Sequence, residues 1–307
     1  GVTRTAVWKR INLFRKRVYT INGSPAKGYR LIESPDLSIE EIRNYLSGHV
    51  SVMGKKIIFL ETVGSTNTSA MELAGKGCEE GTVVIADAQT GGKGRLGRKW
   101  LSPPGKNIYM SIVLKPQLSP RDATILTLMS AVSCATAVKK CSSIPVTIKW
   151  PNDLMVSGKK LGGILTEIKA DMDRISHAVI GIGINVNLDP MDMPAEIGSF
   201  STSLKVEQKI GSAEVWNGYD FPRTLVAIEI IKELDRWYSI LLTTGKKPIA
   251  DEWMLLSSTI GRAVKVTVGD AVFTGIAESI DEEGMLMLEL PDSSVKKISS
   301  GDVAILR

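Results

Sequence analysis

Ten consecutive residues of the chain combine glycine with positive charge. Residues 91–100 read Gly-Gly-Lys-Gly-Arg-Leu-Gly-Arg-Lys-Trp, with four glycines and four cations. Glycine lets the backbone adopt positive φ and approach a ligand closely, and successive N–H groups of such a loop can bind an anion. Arginine adds a planar fork that suits phosphate or carboxylate, and Trp100 offers a flat face to an aromatic base. The segment predicts a loop that wraps an anionic, nucleotide-containing ligand. The simpler alternative is a flexible basic loop that contacts nucleic acid or nothing.

Polar residues suited to an uncharged ligand precede this loop. Ser65, Thr66 and Asn67 stand between a predicted strand at 56–60 and a predicted helix at 67–76. Hydroxyls and an amide at a helix N-terminus can hydrogen-bond a small polar ligand, and capping the helix is the simpler alternative. A strand predicted at 82–88, rich in β-branched residues, then leads to Gln89 and the loop.

A second group of motifs lies between residues 146 and 187. A predicted strand at 146–150 ends in Lys-Trp-Pro-Asn-Asp, which carries Asn152 and Asp153. A hairpin turn at Gly158 leads through Lys160 into Leu-Gly-Gly-Ile-Leu. The segment 177–187 is predicted as a strand whose glycines mark places where a ligand or a neighbouring backbone comes close. Since no helix follows this strand, the pattern argues against a Rossmann site.

The composition is typical of a soluble globular protein. The chain has 307 residues, 43% hydrophobic and 23% charged, which is roughly enough for two domains. No segment is typical of a membrane helix or a signal peptide, so we expect a cytoplasmic protein without membrane association. Three cysteines without metal-site spacing argue against a disulfide framework. Two histidines argue against a histidine-based metal site or a Ser-His-Asp triad.

Positive charge is concentrated at the N-terminus. Residues 1–36 hold eight Lys or Arg against two acids, a net charge of +6, whereas the whole chain carries +5. A basic amphipathic helix predicted at 3–16, followed by strands at 18–21 and 29–32, is typical of the second half of a winged helix-turn-helix. A solvated basic face is the alternative. Two further helices should precede residue 3, so we expect operator DNA to bind only where the winged helix is complete.

The remaining pattern predicts a large α/β part and a small β part. Helices are predicted at 39–46, 123–141, 223–242 and 248–256, and further strands at 107–114 and 154–156. From residue 260 the apolar period changes to two, over strands at 263–268, 271–279, 285–290, 295–298 and 303–306. A unit of this size is marginal alone, so we expect it to dock on the larger part.

Taken in order, the motifs resemble those of biotin–protein ligases. The series is Ser-Thr-Asn, Gln before Gly-Lys-Gly-Arg-Leu-Gly-Arg-Lys-Trp, Lys-Trp-Pro-Asn-Asp, Lys-Leu-Gly-Gly-Ile-Leu and Gly-Ile-Gly-Ile-Asn. The resemblance implies an α/β (α+β) fold with a mixed-sheet, class II synthetase-like ligase core. It also implies a partial winged helix-turn-helix at 1–36, a biotin- and ATP-binding catalytic domain at 37–257, and an SH3-like β-barrel at 258–307.

The resemblance further implies a two-step reaction. Biotin and ATP form biotinyl-5′-adenylate and pyrophosphate, and the biotinyl group then passes to a lysine of a biotin carboxyl carrier protein domain. Because a carboxylate must meet a triphosphate, fixed cations and N–H donors are needed at the reacting centre. Mg²⁺ would shield the phosphates and be held mostly by ATP itself, so no protein metal site is predicted.

The same resemblance assigns roles to individual residues. The catalytic residues would be Arg95, Lys160 and Asp153. Biotin would be bound by Ser65, Thr66, Asn67, Gln89, Lys93, Gly94, Arg95, Lys160 and Gly163. ATP and the adenylate would be bound by Arg98, Trp100, Asn152 and Asn185, with Trp100 stacked on the adenine and Asn185 at its edge. Lys93 stands where the family often has arginine. The lysine keeps the positive charge but lacks the bidentate fork of arginine.

Simpler roles and other functions stay open. Asp153 could be a turn-former, Asn185 a buried amide bonded to backbone, and Gly163 a packing residue. A lipoate–protein ligase shares the fold and the adenylate chemistry, although the loop and Lys-Trp-Pro-Asn-Asp favour biotin. A DNA-binding regulator that senses biotin without turnover is the other alternative. The resemblance also implies a homodimer that represses biotin biosynthesis. The glycine-rich composition of the loop predicts that it is mobile when empty and ordered by the adenylate.

Overall fold

The computed structural model of the protein describes residues 20–24, 28–33, 36–210 and 220–306. At the N-terminal end, strands β1 (Thr20–Ser24) and β2 (Gly28–Glu33) pair antiparallel as a hairpin. They correspond to the strands predicted at 18–21 and 29–32. The helix predicted at 3–16 lies outside the described residues.

A seven-stranded sheet forms the centre of the protein, in the order β3-β4-β5-β9-β8-β7-β6. Strands β3 and β4 are parallel and the other neighbours are antiparallel, so the predicted mixed sheet is confirmed. The strands are β3 (Ile57–Val63), β4 (Val83–Gln89), β5 (Ile108–Leu114), β6 (Thr147–Lys149), β7 (Asp153–Val156), β8 (Lys159–Asp171) and β9 (Arg174–Ile184).

Helices cover this sheet on both faces, and the alternation along β4 shows how. Val83 and Ile85 belong to the main core that includes the helices at 123–142 and 223–243, whereas Val84 packs with Ala70 and Ala74 of the helix at 66–75. Successive strand residues point to opposite faces, so an uninterrupted apolar run is needed where both faces are buried. The helices are α1 (Ile39–Leu46), α2 (Thr66–Gly75), α3 (Ala123–Ser142), α4 (Ala195–Gly198), α5 (Leu204–Ile210), α6 (Arg223–Thr243) and α7 (Lys247–Leu256).

Two long helices supply most of the helical core. Helix α3 buries residues around its whole circumference, as its mostly apolar sequence predicts. Helix α6 packs against it with the stripe that its sequence predicts, all of it buried: Val226, Ile230, Leu234, Trp237 and Leu241. None of the described helices is long and apolar enough to cross a membrane.

A buried carboxylate on α6 fixes the connection between α1 and β3. Asp235 accepts hydrogen bonds from the backbone N–H groups of Ser51, Val52 and Met53 at 2.7, 2.7 and 2.8 Å. Asp235 is only 8% exposed, so these three donors replace the water that a carboxylate needs. The connection is thereby held on the core.

The C-terminal residues form a second, five-stranded antiparallel sheet in the order β13-β12-β11-β10-β14. Its strands are β10 (Ala263–Val268), β11 (Ala271–Ile280), β12 (Leu286–Glu289), β13 (Val295–Ile298) and β14 (Asp302–Ile305). This arrangement is compatible with the predicted SH3-like fold. The recorded pairing of these strands leaves the sheet open between β13 and β14, so the hydrogen bonds do not close the predicted barrel.

The small sheet docks on the larger part as predicted. The backbone N–H of Trp150 donates to Thr259 Oγ1 at 2.9 Å, and its indole donates to the carbonyl of Gly284 at 3.3 Å. Ser258 N–H donates to the carbonyl of Ile148 at 2.9 Å. Residues at the end of β6 therefore set the position of the second sheet relative to the first.

Candidate active site

A cavity of about 480 Å³ opens beside β8 and β9. Its walls come from the 91–100 loop, the first turn of α2, both strands and the segment around α4, with Asp302 from the C-terminal sheet. Every residue that the sequence assigns to a ligand or to catalysis lines it: Ser65, Thr66, Asn67, Gln89, Lys93, Gly94, Arg95, Arg98, Trp100, Asn152, Asp153, Lys160, Gly163 and Asn185. The fold therefore brings the separate motifs together, while the role of each residue stays a prediction.

Gly181 of β9 forms one part of the cavity floor. It pairs with Ser111 of β5 on one side and Leu165 of β8 on the other. A Cβ atom added to Gly181 would lie 2.1 Å from Oδ1 of Asn67. The predicted close approach at this glycine is therefore made by a side chain of α2.

Gly183 has the same relation to the aromatic residue of the loop. An added Cβ would lie 2.6 Å from Cε2 and Nε1 of Trp100, so the indole lies directly on β9. Its Nε1 is buried and has no hydrogen-bond partner among the described residues. Lys160 Nζ lies 5.6 Å from the centre of the ring, within the range of a cation–π contact.

The part of the cavity wall formed by Ser65, Thr66, Asn67 and Gln89 is called its neutral end, because these lining side chains are polar and uncharged. Hydrogen bonds connect several of them. The backbone N–H of Thr66 donates to Gln89 Oε1 at 2.9 Å, and Gln89 Nε2 donates to Ser102 Oγ at 2.9 Å. Ser65 occupies the N-cap position of α2, but its side chain makes no capping hydrogen bond. The simpler alternative, that this serine only caps the helix, is thus not what the structure shows.

The 91–100 loop is closed on itself and held against the C-terminal sheet. Gly94 N–H donates to the carbonyl of Arg98 at 2.7 Å, and Trp100 N–H donates to the carbonyl of Gly92 at 2.9 Å. Arg95 donates to Asn152 Oδ1 at 3.1 Å and to the carbonyl of Gly301 at 3.2 Å. Arg98 forms an ion pair with Asp302. Both arginines therefore bridge the loop to other parts of the cavity wall.

Positive charge is concentrated where the 91–100 loop lines the cavity. Burial lowers the pKa of the Arg95 guanidinium, against the opposing effect of the carboxylates of Asp302 and Asp153 and together with that of Arg98. Arginine stays protonated over the accessible pH range even so. The cationic residues of the loop that line the cavity are Lys93, Arg95, Arg98 and Lys99.

Asp153 connects two lysines beside the cavity. Its Oδ1 lies 2.6 Å from Lys160 Nζ, and its Oδ2 lies 3.4 Å from Lys149 Nζ. Asp153 is the first residue of β7, and Lys160 is close to the start of the neighbouring β8. The carboxylate of Asp153 therefore orients Lys160 beside the cavity. This contact goes beyond the turn-forming role that the sequence left open for Asp153.

Asn185 is bonded largely to protein. Its Nδ2 donates to the carbonyl of Thr202 at 3.0 Å, and its Oδ1 accepts from Asn107 Nδ2 at 3.3 Å. This geometry matches the alternative role, a buried amide that satisfies the backbone. Asn185 still lines the cavity, so a contact with adenine stays a prediction that would use its remaining donor and acceptor capacity.

The sequence did not identify three polar residues that matter here. Ser111 donates to Asn67 Oδ1, Glu167 accepts from Asn67 Nδ2, and Asp302 pairs with Arg98. Ser111 had a signal, since it is a hydroxyl inside a predicted apolar strand. Glu167 and Asp302 had no such sequence signal. Glu167 reaches Asn67 through the register of β8, and Asp302 reaches Arg98 through the docking of the second sheet.

The described residues offer no group of three or more His, Cys, Asp or Glu side chains that could hold a metal ion. The acidic residues that line the cavity are Asp153 and Asp302, and both are ion-paired with basic side chains.

Comparison with known proteins gives a consistent result over almost the whole chain. The sequence pattern of the biotin/lipoate A/B protein ligase family matches residues 59–185, and that of the biotin protein ligase C-terminal domain matches residues 259–306. The bifunctional ligase/repressor BirA of Bacillus subtilis is 39% identical over 306 residues, which cover 99% of this chain and 90% of that protein. The Escherichia coli BirA is 30% identical, with coverage of 99% and 89%.

Solved structures agree. The biotin protein ligase from Aquifex aeolicus in complex with biotin and ATP superposes with a TM-score of 0.67 and 30% identity, over 82% of this chain and 99% of that one. The first family pattern spans the predicted site residues from Ser65 to Asn185, and the second family pattern covers the C-terminal sheet. On this evidence the chain belongs to the biotin–protein ligase family.

Proposed function

We propose that the protein forms biotinyl-5′-adenylate from biotin and ATP and transfers biotin to a lysine of a biotin carboxyl carrier protein domain. The observation that carries the proposal is that one cavity is lined by two groups of side chains, one neutral and polar and one cationic. Ser65, Thr66 and Gln89 provide neutral hydrogen-bonding groups for an uncharged ureido ring, and the cations of the loop and Lys160 provide charge for a carboxylate and a phosphate. The Bacillus subtilis relative is named a bifunctional ligase/repressor, and a Paracoccus denitrificans relative is named a biotin–[acetyl-CoA-carboxylase] ligase.

In the first step, a biotin carboxylate oxygen attacks the α-phosphorus of ATP and pyrophosphate leaves. Arg95 and Lys160 both line the cavity, and in this proposal they neutralise the two anions and hold the reacting oxygen near the phosphorus. Asp153 keeps Lys160 in place through their 2.6 Å contact. Mg²⁺ belongs to the substrate here, bound by the phosphates of ATP.

In the second step, the ε-amine of the carrier lysine attacks the carbonyl carbon of the adenylate. An amide forms, AMP leaves, and the amine loses a proton. Fixed N–H donors and cations around the carbonyl would stabilise the negative charge that develops on its oxygen. The loop, closed over the mixed anhydride, would exclude the water that hydrolyses it.

The direct test is to incubate the protein with Mg·ATP, labelled biotin and a carrier domain, and to measure label on the carrier. Labelled lipoate in place of labelled biotin distinguishes a lipoate ligase from a biotin ligase, because a biotin ligase should transfer no lipoate to the carrier. A protein that only senses biotin would bind it and release no pyrophosphate.

We also propose a second role, as a biotin-responsive repressor, where the winged helix is complete. The net charge of +6 on residues 1–36 and the β1–β2 hairpin support it, as do the names of the bifunctional relatives. We further propose a cytoplasmic homodimer. Sedimentation with and without biotin and ATP tests the dimer, and fluorescence anisotropy with operator DNA at several salt concentrations tests DNA binding.

A further inference from the structure

The amide of Asn67 is fixed from several directions at the neutral end of the cavity. Its Nδ2 donates to Glu167 Oε2 at 2.8 Å and to the carbonyl of Leu165 at 3.2 Å. Its Oδ1 accepts from Ser111 Oγ at 2.6 Å. The amide lies above Gly181, in the middle of the row Ser111–Gly181–Leu165 that runs across three strands.

These contacts determine which end of the amide is available to a ligand. An asparagine amide has two N–H donors and an oxygen with two lone pairs. Glu167 and Leu165 use both donors, whereas Ser111 uses one lone pair. Asn67 can therefore offer the cavity only an acceptor.

The orientation depends on the two acceptors and not on the serine. A hydroxyl can donate or accept, so Ser111 would tolerate a flipped amide. A flip would place Asn67 Oδ1 against the carbonyl of Leu165 and the carboxylate of Glu167, where oxygen would face oxygen. Glu167 contributes most to this preference, because a hydrogen bond to a charged acceptor is about twice as strong as one between neutral groups.

The carboxylate of Glu167 has no competing structural role in the described part of the chain. It forms no ion pair with any described residue, and among these residues only Asn67 donates a hydrogen bond to its side chain. The residue is half-buried on β8, two positions after Leu165 and therefore on the same face of the sheet. A half-buried carboxylate without a cation is costly unless a donor satisfies it, and here the donor is a cavity amide.

We propose that Glu167 is a positioning residue that holds the oxygen of Asn67 toward the cavity and thereby selects a substrate with an N–H donor at that end. This inference rests on the proposed biotin ligase function, since the ureido ring of biotin carries two N–H groups. The dithiolane ring of lipoate carries none. Glu167 thus acts on substrate choice without contact with the substrate.

The test compares Glu167→Ala and Glu167→Gln with the unchanged protein. We expect Glu167→Ala to raise the KM and the Kd for biotin about tenfold or more, the loss of one charged hydrogen bond, with kcat and the KM for ATP nearly unchanged. Glu167→Gln keeps an acceptor oxygen at the same place and should recover part of the loss. Asp171→Asn is the matched control, because it removes an exposed carboxylate of the same strand and should change none of these constants.

A second measurement separates positioning from a general structural effect. Biotin methylated at one or the other ureido nitrogen lacks one N–H donor. If Glu167 acts through the acceptor of Asn67, the cost of Glu167→Ala should largely disappear for one of these analogues, since coupled groups are not additive. Equal cost for biotin and both analogues would overturn the inference.

The remaining outcomes are also decisive. An unchanged Kd for biotin in both variants would overturn the inference, as would a loss confined to kcat. Should Glu167→Ala unfold at the assay temperature, the isosteric Glu167→Gln with a normal thermal midpoint and a raised biotin KM would still support it. The unchanged protein assayed in parallel tests the proposed function itself, because a failure there would be a failure to label the carrier at all.

Discussion

Lys160→Ala should separate catalysis from stability. Lys160 Nζ lines the cavity and lies 2.6 Å from Asp153 Oδ1. If it stabilises charge that develops between the carboxylate and the α-phosphate, its removal should cost about 2.7–4 kcal/mol of transition-state stabilisation. That corresponds to a decrease of about 100- to 1,000-fold in the rate of adenylate formation.

The same substitution should change folding stability very little. The side chain of Lys160 is 35% exposed, and Asp153 keeps a second cation, Lys149, at 3.4 Å. Partly exposed ion pairs contribute about 0–1 kcal/mol, so the free energy of unfolding should fall by no more than that. Pyrophosphate release without the carrier domain, at saturating biotin and Mg·ATP, measures the first step alone.

Lys149→Ala is the matched control for this experiment. It removes the other lysine from the same carboxylate, but Lys149 is not among the residues that line the cavity. We expect its rate to stay within about threefold of the unchanged protein, the equivalent of roughly 0.7 kcal/mol. Equal losses in the two variants would refute the assignment, because the effect would then belong to Asp153. A Lys160→Ala rate within tenfold of normal would refute it too.

Three further predictions concern the cavity floor, the loop and the core. Gly183→Ala would place a Cβ 2.6 Å from the ring of Trp100, so the indole must move and the KM for ATP should rise several-fold. The control is Gly75→Ala, where an added Cβ meets nothing within 4 Å and the KM for ATP should not change. Equal KM values for ATP in the two variants would contradict a role for Trp100 at adenine. Asp302→Ala releases Arg98 from its ion pair, so limited trypsin cleavage at Arg95 and Arg98 should become faster without ligand and slow again with biotin and ATP. Equal cleavage rates in the unchanged protein and the variant, each with and without biotin and ATP, would show that neither the ion pair nor the ligand orders the loop. Asp235→Asn keeps one acceptor oxygen for the three N–H donors of residues 51–53 and brings an NH₂ group against the others, which should lower the free energy of unfolding in urea by about 2 kcal/mol. The control is Asp251→Asn on α7, where the carboxylate is partly exposed. A similar small change in both variants would count against the anchoring role.

Local patterns were sufficient to predict most of the elements. The stripe of α6 and the all-round apolar sequence of α3 are properties of single segments, and both helices end within one residue of their predicted bounds. Ser38 caps α1, since its hydroxyl accepts from Glu41 N–H at 3.3 Å, and a serine directly before a predicted helix is a local capping signal. Where the signal is carried by neighbours in sequence, the prediction requires no knowledge of the rest of the fold.

Contacts between segments distant in sequence were predicted less well. The sequence indicated that Ser65, Thr66 and Asn67 contact a ligand, but not that Ser65 lacks a capping bond. The contribution of Asp302 was invisible, because it depends on how the C-terminal sheet docks through Trp150 and Ser258. No local pattern encodes which edge of a docked unit will face a cavity.

The glycines of β9 show where the limit lies. Their spacing of two predicts that Gly181 and Gly183 face the same side of the sheet and that something approaches each of them closely. The sequence could not say what, because the answer depends on register: Gly181 stands between Ser111 and Leu165, and this row provides a donor and an acceptor for one particular amide. A shift of one residue in the pairing of β8 with β9 would turn Glu167 to the opposite face, remove the charged acceptor of Asn67 Nδ2 and leave the amide free to rotate. The same glycine would then be present, but the polarity that the cavity offers to its substrate would be lost, so substrate choice in this protein depends on strand register as much as on the residues that line the cavity.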